Sequence, residues 1–219
     1  MPRPRSLSHG AIAEAALAVI DRDGLDALSM RVVAAQLDVG VMALYRYVAS
    51  RQEIDFLVTD LIFSAVDPCV KQSARWQEQA AELASRAHTA ITAHPAVVPL
   101  LLANHQSSPN AWRWLEAMLA ALTKAGFTGQ ERIMAFRCLI AYVLGAIMNE
   151  TFMPLAGQGT ADIATLPADT FPFAAETAHD APAVTPDQEF RQGLAIILQG
   201  LGTSSRNPSN PSGTSHIRQ

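Results

Sequence analysis

Cysteine is scarce: the 219-residue chain has two, Cys69 and Cys138. They lie far apart with no CxxC or HxxxH partner, so a disulfide framework and a structural zinc site both lack ligands. A reducing, cytoplasmic compartment is expected. Charged residues are also sparse, at 16% against 49% hydrophobic, which excludes disorder as the main state and allows one sizeable core or two small ones. No apolar stretch is expected to approach the roughly 20 residues a bilayer requires. Arg3 and Arg5 precede the apolar run Ala11 to Ile20, but Glu14 interrupts it and Asp21 ends it without a cleavage site, so neither export nor membrane insertion is expected. Motifs of catalysis are missing too: there is no GxSxG, P-loop, HExxH or carboxylate pair. His88, His94 and His105 are six and eleven residues apart with Pro95 between them, which makes no helical ligand pair. No metal, cofactor or enzymatic activity is implied.

The net charge of −4 argues at first against nucleic acid, but its distribution is uneven. Residues 1 to 51 carry six arginines against five acids, a net of +1, whereas the remainder carries ten basic against fifteen acidic residues, a net of −5. The N-terminal segment alone has an electrostatic claim on a polyanion.

What is abundant is helical periodicity, which predicts an all-α chain. Ile12, Ala16, Leu17 and Ile20 follow a candidate cap at Ser8, with Gly24 as a left-handed stop. Ser29 caps a short second helix with Val32, Val33 and Leu37 on its apolar face. Asp38-Val39-Gly40 reads as a tight turn, and Leu44 and Val48 define the buried face of a two-turn third helix. Ser50 and Glu53 form a capping box for a fourth helix with Ile54, Leu57, Val58, Leu61 and Ile62 on one stripe. Beyond Pro68, Leu83, Ala84, Ala87 and Ile91 mark a fifth helix from about Trp76 to His94. Ser108-Pro109 opens a helix expected to turn Trp112, Leu115, Leu119 and Leu122 inward, and Gly126 closes it. Thr128 and Glu131 read as a further capping box. The helix after them, 129 to 153, is apolar around most of its girth, so it must be covered on both sides. Residues 154 to 186 hold five of the thirteen prolines and no lysine or arginine, and read as a long mobile loop with at most one short helical turn. A last helix, 187 to 200, carries Phe190, Leu194 and Ile197 or Leu198 inward, and the tail from Thr203 to Gln219 reads as disordered. The expected organisation is a head, residues 1 to 50, and a larger helical domain, 51 to 202.

Two short helices joined by a three- or four-residue turn have the geometry of a helix-turn-helix. With Leu44 and Val48 inward, Met42, Tyr45 and Arg46 fall on the opposite face, where a two-turn helix gains nothing from exposing them unless that face meets a partner. Arg46 has the donor fork for guanine O6 and N7, and Val41 and Met42 suit thymine methyls. Ser29 and Arg31 stand at the start of the supporting helix, where free amides favour a phosphate. Tyr45, Tyr47 and Arg51 are placed to meet the DNA backbone. Periodicity alone leaves open a plain helical subdomain with ordinary surface residues.

Residues 8 to 62 resemble the DNA-binding domain of the tetracycline-repressor (TetR) family, through LSMRVVAAQLDVGVMALYRYVASRQEI and especially Leu44-Tyr45-Arg46-Tyr47-Val48. Ala125-Gly126-Phe127, Gly145-Ala146-Ile147 and Phe190 to Gly200 resemble the C-terminal domain of the same family. The resemblance implies phosphate contacts from Ser29, Arg31, Tyr45, Tyr47 and Arg51, and base-facing roles for Val41, Met42 and Arg46. The chain departs from the pattern at Gly40, where the family often has serine or another polar residue, and at Asp38, where it often has glycine. At the positions of the family's tetracycline-binding histidine, asparagine and metal-assisting acid stand Ala65, Leu83 and Asn149, so the metal-drug set is absent. What the resemblance leaves is an apolar effector cavity lined by Ala65, Leu83, Ala87, Trp112, Met118 and Asn149.

The resemblance further implies a homodimer, formed by a four-helix bundle of helices 129 to 153 and 187 to 200. Its two recognition helices would lie about 34 Å apart on a palindromic double-stranded operator. A small apolar effector would swing the fourth helix, Arg51 to Asp67, and release the DNA. The alternative is a helical ligand carrier or enzyme whose head is vestigial, for which the acidic total and weakly positive head speak.

Overall fold

The structure is a computed structural model and describes residues 7–104 and 108–204. Eleven α-helices and no strand occur among the described residues. The head is built by α1 (His9–Asp23), α2 (Met30–Gln36) and α3 (Val41–Leu44). Ser8 caps α1 by accepting from the Ala11 amide at 3.2 Å, and Ile12, Ala16, Val19 and Ile20 are fully buried along one stripe. Gly24 ends the helix at φ +84°, ψ 166°, a left-handed φ with extended ψ that only glycine adopts without strain. Ser29 accepts from the Val32 amide at 3.3 Å and starts α2.

Helix α4 (Arg51–Ser64) packs across α1 and also against α6 (Val98–Asn104) and α7 (Pro109–Lys124), so it belongs to both halves of the molecule. In the larger half, α5 (Trp76–Thr92) lies between α7 and α8 (Gly129–Phe152), and α11 (Pro186–Ser204) packs along α8. A single apolar cluster runs from Ile12 in α1 through Val58, Leu83, Met118 and Leu139 to Leu198 in α11. Its burial, at about 25 cal/mol per Å² of apolar surface, is what holds helices of ordinary propensity in place. Phe190, Leu194 and Leu198 are the residues α11 buries, while Ile197 is half-buried.

Several sequence expectations are corrected. Residues 154 to 186 are not one long loop: α9 (Gln158–Ala164) and α10 (Pro172–Asp180) pack on each other, Pro172 sitting at a first helical position where its missing N–H costs nothing. Helix α11 continues past Thr203 to Ser204; the rest of the expected tail, like Arg3, Arg5 and His105, lies outside the described residues. Glu53 reaches past its own cap to accept from the Ala49 amide at 2.7 Å, while Ser50 accepts from Glu53 as expected. Thr128 makes no side-chain cap, although its carbonyl accepts from the Arg132 amide at 3.2 Å; Gly129 follows it at φ +47°.

The inward face of α7 is also rotated. Ala111, Trp114, Met118, Ala121 and Leu122 are buried, whereas Trp112 is 54% exposed. The helix carries two adjacent apolar stripes, and only one meets the core. Helix α8 behaves likewise: Ala135, Leu139, Val143 and Ile147 are buried, but Ile133, Met134 and Phe152 are more than half exposed. With its 24 residues it is long and apolar enough to cross a membrane by length and composition, a test that a core helix also passes. The expectation that no stretch approaches that length is corrected, because the apolar stretches of this helix hold only two charged residues, Arg137 with either Arg132 or Glu150.

Candidate functional site

The head presents one surface in which polar and aromatic groups converge. After Val41–Leu44 the chain continues as a looser turn, with Arg46 N donating to Ala43 O at 3.3 Å and Val48 N to Leu44 O at 3.1 Å. Leu44 and Val48 are buried at 0% and 1%, which fixes the rotation of the element. Met42 is then 77%, Tyr45 47% and Tyr47 42% exposed, and Arg46 is exposed beside them. Ser29 and Arg31 are exposed at the start of α2. Val41 is half-buried and packs against the core, so it offers less to a partner than Met42 does. His9 on α1 bonds the Tyr47 carbonyl at 3.0 Å and ties the far end of this element to the body of the head.

The turn between α2 and α3 places its left-handed residue at Asp38, φ +55°, and not at a glycine. Aspartate is one of the few residues that tolerate that region. Gly40 has an ordinary extended conformation at φ −69° and caps α3 without a side chain. The exchange of residue types between these positions thus keeps the turn and loses a cap hydroxyl.

Arg51, expected to meet a phosphate, bonds within the head in this structure. Its Nε bonds Asp55 Oδ1 at 2.8 Å, Nη1 donates to the Leu28 carbonyl and Nη2 to the Leu25 carbonyl at 3.5 Å. The guanidinium closes the segment between α1 and α2 onto α4. It is a brace of the head, since three of its donors serve the chain itself.

The second site is a cavity of about 550 Å³ enclosed by α4 to α8, within the range typical of small-molecule sites. Phe63 comes from α4, Ala87 and Ile91 from α5, and Leu101 and Leu102 from α6. The exposed stripe of α7 adds Trp112 and Leu115, and α8 adds Phe136, Arg137, Ile140 and Leu144. Trp114 also lines it, with its indole N–H donating to the Leu83 carbonyl at 2.9 Å.

Of the six residues expected here, Ala87 and Trp112 line this cavity. Leu83 and Met118 are packed in the core at 0% and 1% exposure, because α5 and α7 meet along that stripe. Ala65 is exposed at the end of α4, and Asn149 lies in a separate shallow groove between α8 and α11 with Tyr142, Gly145 and Gly193. Phe63, Phe136, Ile140 and Arg137 were not anticipated as lining. Arg137 left a signal: from Ile133 to Met148 it is the one charged residue. The histidines serve ion-pair-like contacts, His88 with Glu150 and His94 with Asp21, both at 2.8 Å.

Residues 12–54 match the family described as "Bacterial regulatory proteins, tetR family", and residues 69–204 match "Tetracyclin repressor-like, C-terminal domain". The HTH-type transcriptional repressor DrrR1 of Streptomyces coeruleorubidus is 29% identical over 160 residues, covering 73% of this chain and 59% of that protein. The chain therefore spans about three fifths of that repressor's length. Apo ActR from Streptomyces coelicolor aligns with a TM-score of 0.80 at 27% identity, over 94% of this chain and 99% of ActR. ActR in complex with actinorhodin aligns with a TM-score of 0.78 at 25% identity, over 91% and 97%. An all-helical chain with an exposed helix-turn-helix face, an apolar cavity behind it and family matches over both halves belongs to the TetR family of transcriptional regulators, a non-enzymatic family.

Proposed function

We propose that this chain is a ligand-responsive DNA-binding repressor that acts as a homodimer on a palindromic operator in the cytoplasm and is released by a small apolar molecule. The observation that carries this reading is that α4 joins the two sites: it packs against α1 of the head and contributes Phe63 to the cavity. A ligand that fills the cavity acts directly on the helix that carries the head. The name of DrrR1 as a repressor and the complex of ActR with actinorhodin support the same reading.

On DNA, Arg46 and Met42 face the bases, while Ser29, Arg31, Tyr45 and Tyr47 meet phosphates; Arg51 acts through the shape of the head. Dimerisation is supported by the open apolar faces of α8 and α11, where Ile133, Met134, Phe152 and Ile196 are each at least 54% exposed. Such a surface on two long, mutually packed helices fits a second copy. Effector binding that favours a displaced α4 by about 1 to 3 kcal/mol would weaken operator binding 5- to 150-fold.

The test is fluorescence anisotropy of labelled duplexes selected from a random pool at low salt, with light scattering for the oligomeric state. Selection of a palindromic sequence by a particle of twice the chain mass is expected. A chain that retains no duplex would instead be the helical carrier with a vestigial head.

A further inference from the structure

Ten arginines lie among the described residues, and seven have partners. Arg22, Arg51, Arg75, Arg86 and Arg191 pair with carboxylates, Arg113 bonds Asn110, and Arg132 bonds Thr123. Three guanidinium groups remain without a hydrogen bond or ion pair among the described residues: Arg31, Arg46 and Arg137. The first two stand on the face read above as meeting a polyanion. The third lines the cavity.

Fifteen residues line that cavity, and Arg137 is the one ionisable group; the others are aliphatic or aromatic, and no carboxylate is present to neutralise it. Trp114 has committed its indole N–H to the Leu83 carbonyl, so it offers a ligand only its ring. Phe63, Phe136 and Trp112 add further aromatic surface. Such a lining selects planar aromatic rings by area and by offset or edge contacts. A guanidinium beside it selects an ionised oxygen acid, because the fork of parallel N–H donors fits a carboxylate with two charge-assisted bonds.

We propose that Arg137 is the anion anchor of this cavity and that the ligand is a planar aromatic molecule bearing an ionised acid group. The proposal rests on the reading of the cavity as the effector site, and it replaces the wholly apolar effector of that reading with one that carries a charged group read by Arg137. It also explains why a charge interrupts the otherwise apolar sequence from Ile133 to Met148. The group is exposed at the cavity wall, so its charge costs little when the cavity is empty and is sequestered from water when an aromatic acid lies over it.

An isosteric pair of probes tests this with the full chain: anthracene-2-carboxylate and the neutral anthracene-2-carboxamide, each titrated by quenching of tryptophan fluorescence. The carboxylate is expected to bind about tenfold or more tightly than the amide, the scale of a hydrogen bond to a charged group. Arg137→Met should erase that difference and leave amide affinity within about twofold, while Arg137→Lys, which keeps charge but loses the fork, should restore part of it. Added salt should weaken the carboxylate alone. Equal binding of carboxylate and amide by the native chain overturns the anchor but leaves the cavity reading intact, as it would if the guanidinium head simply stays in water. Loss of both ligands in Arg137→Met, with an unchanged melting temperature, also overturns it. Failure of both probes to bind the native chain overturns the cavity reading and the anchor together.

Discussion

Asp60 and Asn110 hold each other by three hydrogen bonds: the Asn110 amide donates to Asp60 Oδ1 at 3.0 Å, and its side-chain nitrogen donates to Oδ2 at 2.9 Å and to the Asp60 carbonyl at 3.3 Å. Ser108, which caps α7, adds a fourth to Oδ1 at 2.7 Å. The clasp fastens the middle of α4 to the first turn of α7, one residue before Ala111 and two before Trp112 on the cavity wall. On the proposed effector reading, displacement of that turn by a ligand would reach α4 through this charge-assisted contact.

Asp60→Ala is expected to cost about 1.5 to 3 kcal/mol of stability, the scale of hydrogen bonds to a charged group. The more telling effect is on coupling. Ligand affinity should stay within about twofold while operator affinity ceases to respond to ligand, both read by anisotropy of a labelled operator. A full response in a folded Asp60→Ala protein would place the coupling route elsewhere.

The arginines of the head are expected to separate by role. Arg31→Ala should weaken all duplexes alike and lower the salt slope by about one, whereas Arg46→Ala should relax discrimination at one base pair by about 1 to 3 kcal/mol. Arg51→Ala should leave the salt slope unchanged and destabilise the head by about 1 to 3 kcal/mol, because the Leu25 and Leu28 carbonyls and Asp55 lose their donor. Salt-titrated binding and urea unfolding of the same three proteins distinguish these outcomes.

Asp38 carries the one left-handed non-glycine backbone among the described residues, at φ +55°. A β-branched side chain there should cost about 1 to 2 kcal/mol, so Asp38→Val lowers the urea midpoint while Asp38→Gly does not. Gly40→Ser, which supplies the missing cap of α3 where a Cβ meets no atom within 4 Å, should add a few tenths of a kcal/mol.

The seam between α8 and α11 is a place of close approach. A Cβ at Gly193 would collide with the Tyr142 ring, whose hydroxyl donates to the Phe190 carbonyl at 2.8 Å. Gly193→Ala is expected to destabilise by about 1 to 3 kcal/mol, as overpacking does, with dimer dissociation read by light scattering. Burial, reinforced by Glu189, pushes the Tyr142 phenol above its ordinary value near 10.0. Because the folded chain holds that proton more tightly than the unfolded one, the contribution is complete below about pH 10 and declines as pH climbs through the raised value. Tyr142→Phe should flatten that alkaline decline.

The three-helix head was legible because its signals are local. Ser8, Ser29 and Ser50 are caps within three residues of the amides they serve, and Leu44 with Val48 sets the rotation of α3 at a spacing of four. Exposure of Met42, Tyr45 and Arg46 follows from that spacing alone. The role of Arg51 was not legible, since its partners Leu25 and Leu28 are 26 and 23 residues away. Nor was the cavity lining: α7 has apolar residues on two neighbouring stripes, and periodicity cannot say which one meets the core and which is left facing a void.

Residue order by itself determined the helices of the head, the turn that joins α2 to α3 and the face they turn outward, because capping and a repeat of three to four residues act within one or two turns of chain. Only the tertiary structure decided that α4 serves head and cavity at once, that Asp60 grips Asn110, and that Arg137 stands without a counter-charge. These are meetings between segments tens of residues apart, and long-range packing, not local propensity, sets them.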